Sequence, residues 1–355
     1  MVDFSQFSYV PILAVRPSEM TAMEELVPAD KDSILPYITL RPWLAARHIE
    51  PVIAKVEAAV GHRPVIIDLT NERFDQGERR RAVHDVLDEL RDPTNGYRNF
   101  YDFIGEHENF VPSLQLNAPA EIDAQVPIVA ALGRGVAVRL TEPMFRFSTS
   151  IAQRLVHIED HSTIHFIVDF ERQTAELLAR AAGAIGIVEG IRRILPDSFV
   201  SVSASTFPAN FVNITQQAIF ERQFYDEVVR HIRHRNVIYS DRASVRVERQ
   251  SGGSGAPAPR IDNALPTDWH FFRVGDDDVD RDAAYQMAAL RAVRSPGWAN
   301  LGVWGTSEII KTANGDGAII SAQRSTAVRI NIHLHQQANF GKPPALPDSE
   351  TDWSD

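Results

Sequence analysis

The feature that most constrains this chain is an alternation of two kinds of segment. Eight short runs of β-branched and aliphatic residues alternate with longer stretches of helical character. The runs are Tyr9–Val15, Ile34–Leu40, Pro64–Leu69, Phe110–Leu116, Val136–Leu140, Thr163–Phe170, Phe199–Ser205 and Val237–Ser240. Pro64–Leu69 is almost unbroken in its apolar character, as expected of a strand covered on both faces. Helical stretches are read at Ser18–Leu26, Pro51–Val60, Gly77–Leu90, Ala120–Leu132, Phe147–Ile158, Thr174–Leu195 and Thr215–Arg233. Eight strand–helix alternations predict an α/β fold, a single-domain (β/α)8 TIM-type barrel with a C-terminal extension. An open doubly wound sheet has a similar pattern, but no Gly-rich nucleotide turn follows an early strand.

The barrel is expected to occupy residues 1–340, with a loop inserted at 246–268. Within it, Gln250–Pro259 (QSGGSGAPAP) is rich in Gly, Ser and Pro. Trp269–Val274 reads as an extra strand and Ala283–Val293 as a closing helix. The acidic tail 341–355 is expected to be disordered.

Composition excludes several function classes. The chain of 355 residues has no cysteine, so thiolate metal sites, disulfides and thiol nucleophiles are ruled out. A net charge of −11 argues against bulk binding to nucleic acid or anionic lipid. The basic runs Arg79-Arg80-Arg81 and Arg233-His234-Arg235 read as solvated helix surface. No apolar run reaches the roughly 20 residues of a membrane helix, and no signal-peptide pattern opens the chain. A cytoplasmic location is the expectation.

In a barrel, functional groups project from the C-terminal ends of the strands. Those ends carry three aspartates after strongly apolar runs, Asp68, Asp169 and Asp241. They are the candidate catalytic residues. Arg16, Glu19, Arg41, Arg139, Glu171 and Ser203 are the candidate ligand-binding residues. The carboxylates suit acid–base work or a divalent metal, and equally suit structural ion pairs and helix N-caps. The arginines suit bidentate contacts to a phosphate, and equally suit neutralising the aspartates. His333 and His335, read as i and i+2 on one side of a strand, have spacing that suits a metal, with Glu308 as a third ligand. His165 reads as a core histidine. Trp269, Trp298 and Trp304 read as packing for an added segment. No G-x-S-x-G elbow or P-loop occurs. No cofactor is indicated.

Four ordered motifs carry a resemblance. Tyr9-Val10-Pro11-Ile12-Leu13 is followed by Arg16 and Glu19. Tyr239-Ser240-Asp241 precedes Ala243, Ser244, Trp269 and Arg273. Val303-Trp304-Gly305 precedes Glu308-Ile309-Ile310, and Arg329-Ile330-Asn331-Ile332-His333 follows. Together they resemble the phage-type "beta protein" family, first named from a T-even bacteriophage and widespread in bacteria. In relatives two histidines are often adjacent, whereas Leu334 separates them here. The resemblance implies a setting of phage–host conflict, anti-phage defence included, without a mechanism. Two functions fit. One is a barrel hydrolase or ligand-binding enzyme acting on a phosphorylated small molecule or nucleotide. The other is a non-enzymatic scaffold that binds a protein partner.

Overall fold

The computed structural model describes residues 1–72, 80–211, 213–232, 236–245, 257–274 and 280–342. Eight parallel strands run in the sequence order expected of a barrel. They are β1 (Tyr9–Ala14), β2 (Tyr37–Leu40), β3 (Val65–Leu69), β4 (Phe110–Pro112), β5 (Val136–Thr141), β6 (Ile164–Arg172), β7 (Phe199–Ser205) and β9 (Val237–Asp241). Their order in the sheet is β4-β3-β2-β1-β9-β7-β6-β5. A parallel bridge between Ser113 and Ala137 joins the two ends, so the sheet closes into the predicted (β/α)8 barrel.

Alternate residues of each strand fill the interior. Val10, Tyr37, Ile66, Ala137 and Ile167 belong to an inner cluster that the short 3-10 helix Phe4–Gln6 plugs with Phe4. Gly135 takes φ 86°, and a Cβ there would lie 2.8 Å from Thr163 O. Only glycine fits this entry to β5, against the plug. Outward residues such as Leu13, Ile38, Ile67 and Val138 pack on the surrounding helices in the main core.

A second lobe is built from a segment between β7 and β9 and from the chain after β9. Strands β8 (Gln216–Ala218), β10 (Arg260–Ala264) and β11 (Asp268–Arg273) pair antiparallel in the order β10-β11-β8. Helices Arg281–Val293, Trp304–Ala313 and Ala322–Ala338 cover them. Trp269, Phe271, Tyr285 and Ile309 form its separate core. Trp298 and Trp304 pack on that core, as the packing reading of the tryptophans expected.

Several boundaries differ from the sequence reading. The stretch from Thr215 is not helical throughout: it opens with β8, and the helix is Phe220–His231. Part of the expected loop 246–268 is strand β10. Arg281–Val293 belongs to the second lobe, and two more helices follow it. The loop core 250–256, the run Arg233-His234-Arg235, Arg79 and the tail from 343 lie outside the described residues. Arg80 pairs with Asp85 and Asp88, and Arg81 donates to Leu44 O and Ala46 O. No helix among the described residues is long and apolar enough to cross a membrane.

Candidate functional site: the C-terminal mouth of the barrel

The strands' inward phase turns polar at their C-terminal ends. Asp68 follows Ile66 in phase on β3, and Asp169 follows Ile167 on β6. Asp169 is fully buried. A bulge between Asp169 and Arg172 shifts the β6–β7 register, and Glu171 takes φ 54° there. The kink lets the Glu171 N–H donate to Asp169 Oδ1 at 2.8 Å. Arg139 Nε and Arg242 Nη2 reach Oδ2 at 2.8 and 2.5 Å. Burial pushes the Asp169 carboxyl up, but Arg242 and Arg139 outweigh it and hold it below the usual range.

Asp68 sits across the mouth in a different environment. Ser113 Oγ and Gln115 Nε2 donate to its Oδ1 at 2.8 and 3.0 Å. Among the described residues it has no ion-pair partner. Burial, then the Asp68 charge, pushes the neighbouring Tyr37 phenol well up. The Arg139 guanidinium lies 5.8 Å from the Tyr37 ring centre.

The rim completes the arrangement. Glu19, buried at the start of helix Pro17–Glu24, accepts the Ala14 N–H at 2.6 Å and faces Arg16 at 3.5 Å. Burial raises its carboxyl against the pull of Arg16, Arg41 and Arg242. Arg41 forks onto Glu72. Burial, then the like charge of Arg16, works against the Arg41 cation. Burial works against Arg242 too, joined by the charge of Arg139. The buried Ser203 Oγ, level with Asp169 in the ladder, has no hydrogen-bond partner among the described residues.

The structure therefore brings together Arg16, Glu19, Arg41, Asp68, Arg139, Asp169, Glu171 and Ser203. It does not bring Asp241 to them. On β9 the inward phase is Ile238, Ser240, Arg242, so Asp241 points out of the barrel. There Tyr9 Oη donates to Oδ1 in a short bond, Tyr239 Oη reaches Oδ2 at 2.7 Å, and Ala243 N–H reaches Oδ1 at 2.7 Å. His333 Nε2 donates to Oδ2 at 2.7 Å, and Trp269 Nε1 points at His333 Nδ1 at 3.4 Å. An indole N–H only donates, so Nδ1 accepts and Nε2 carries the proton. Asp241 is thus the hub of a buried latch between barrel and second lobe. It gathers the first, second and fourth sequence motifs in one place.

The strand reading of His333-Leu334-His335 is corrected. These residues lie in helix Ala322–Ala338, where i and i+2 diverge by about 200°. His333 faces Asp241 and His335 faces Asp30 at 2.7 Å, so no shared metal is held. Glu308 is instead bound by Lys311 and Arg324. Among the described residues no group of three or more His, Asp or Glu could hold a metal ion. His165 lies in the barrel interior with Nε2 on Ser201 Oγ at 2.8 Å.

Arg242, read with Asp241 at the end of the eighth run, joins the mouth in place of its neighbour. Its signal was available, because strand parity puts it inward once Asp241 points out.

Fold and mouth together define a (β/α)8 barrel with an arginine- and carboxylate-lined C-terminal face. The chain belongs to the Beta protein family, whose model matches residues 9–339. It is 26% identical over 352 residues to Protein beta of Enterobacteria phage P4, with 96% of each chain covered. That relative comes from P4 rather than from the T-even phage of the motif resemblance.

Proposed function

We propose that the barrel mouth binds a small phosphorylated molecule or nucleotide and acts on it as a hydrolase. In this reading Asp68 is the acid–base group. Arg16, Arg41, Arg139 and Arg242 hold the anion, and Asp169 with Glu171 positions the last two. Ser203 offers a hydroxyl with no partner among the described residues. The observation that supports the reading is two pairs of arginines, Arg16 with Arg41 and Arg139 with Arg242, each close enough to oppose the other's charge, in a protein of net charge −11. A bound anion would relieve that repulsion, and guanidinium forks match phosphate oxygens. The phage relative supports a role in phage–host conflict, and a cysteine-free chain suits the cytoplasm.

A scaffold role is the second reading. It is favoured by the pairing of Arg16, Arg41, Arg139 and Arg242 with carboxylates already present.

A thermal-shift screen with inorganic phosphate, nucleotides and sugar phosphates separates the two. A ligand at 100 times its Kd adds about 2.7 kcal/mol to folded-state stability. The expected result is a raised midpoint with one of these ligands, smaller in Arg41→Gln. A midpoint unmoved by every ligand, or one that moves equally in Arg41→Gln, removes the mouth as the site.

A further inference from the structure

A cavity of about 400 Å³ opens between the barrel mouth and the second lobe. Its walls are helix Pro17–Glu24, helix Ala322–Ala338 and the segment around Arg260. Among the described residues, the charged groups lining it are Arg16, Arg260 and Arg329 against Glu19. Ser18 and Thr326 add hydroxyls. The walls are cationic although the protein as a whole is acidic.

Two of these arginines are held rigidly. Buried Asp262 accepts Arg260 Nε at 2.5 Å and Arg329 Nη1 at 2.6 Å. The Arg260 guanidinium stacks 3.3 Å from the Phe211 ring centre, and that of Arg329 lies 4.0 Å from Phe207. Guanidiniums gripped by a carboxylate and an aromatic face lose little freedom when a ligand arrives. The first turn of helix Ala322–Ala338 also faces the cavity and adds the positive end of its dipole.

We propose that this cavity is a second anion site that takes a phosphoryl group. It shares Arg16 and Glu19 with the mouth. Resting on the mouth reading, the inference extends the ligand class to molecules with two separated phosphoryl groups, one in each site.

The test is isothermal titration of the whole protein with inorganic phosphate at low ionic strength. Wild type should take up two phosphates per chain. Arg260→Gln should weaken one of them at least about tenfold and spare the other, the loss expected for a charge-assisted contact. Thr326→Glu, which adds a carboxylate to the cavity wall and leaves Arg260 and Asp262 in place, should do the same and covers the case in which Arg260→Gln misfolds. The cavity site is overturned if Thr326→Glu titrates like wild type. The mouth fails separately if Arg41→Gln titrates like wild type, and both fall if wild type takes up no phosphate.

Discussion

Glu221 shows what a single buried carboxyl does to this protein. It opens helix Phe220–His231 at 4% exposure. It accepts the Thr206 N–H and, at 2.5 Å, the Thr206 hydroxyl. Burial outweighs both bonds and pushes its pKa to about 7. The folded state therefore binds this proton more tightly than the unfolded chain. Its stabilising effect is complete below the unfolded value of 4.5 and is lost as pH rises through about 7. Relative to Glu221→Gln, the wild type should lose up to roughly 3 kcal/mol over that window. His165 acts oppositely. Burial drops its pKa to about 3, so its contribution is lost as pH falls from about 6.5. Comparing wild type with Glu221→Gln isolates the glutamate. Urea unfolding at about pH 5 and about pH 8 measures it, and a difference that stays constant with pH disproves the assignment.

Among elements, the helix Ala322–Ala338 explains both a misreading and a constraint. The sequence Val328-Arg-Ile-Asn-Ile-His-Leu334 alternates apolar and polar residues, which is the signature of a strand. A helix wedged between two cores produces the same alternation. Val328 and Ile332, one turn apart, enter the core of the second lobe, and Ile330 and Leu334 enter the main core. The polar positions between them are also buried and used: Asn331 accepts the Gly305 N–H at 2.9 Å, and His333 holds Asp241. The short helix Trp304–Ala313 approaches so closely that a Cβ at Gly305 would lie 2.6 Å from Ile332 Cγ1 and 2.8 Å from Val328 O. Gly305→Ala should cost about 1–3 kcal/mol, as overpacking does, and lower the urea midpoint at unchanged m. An alanine variant as stable as wild type would mean that the helices separate freely.

For the whole molecule, the barrel was legible because its first six strands are compact runs, each followed by helix before the next strand. The second lobe was not, because β8, β10 and β11 are short and come from segments far apart in sequence, with β8 separated from its partner β11 by the ninth strand and β10. Site residues were legible where apolar parity led into them, as at Asp68 and Asp169. Asp241 was misplaced because its phase follows Val237 and Tyr239 into the main core outside the barrel, while Ile238 faces in, and an apolar run alone does not say which phase is which.

The ring is fastened unevenly. Between β4 and β5 the clasp is one bridge and the Leu114 N–H on Ala137 O at 2.8 Å, and β4 is only three residues long. On the other side of β5, nine-residue β6 is laced along both neighbours. Amide hydrogen exchange should release Leu114 well before Val168, and equal protection would show the clasp to be as firm as the rest. Ser113 and Gln115, both donors to Asp68, stand at that clasp, while Asp169 and its arginines stand on the stiff arc. A breathing ring would leave Asp169 and its arginines fixed and let Asp68 loosen and re-form its contacts.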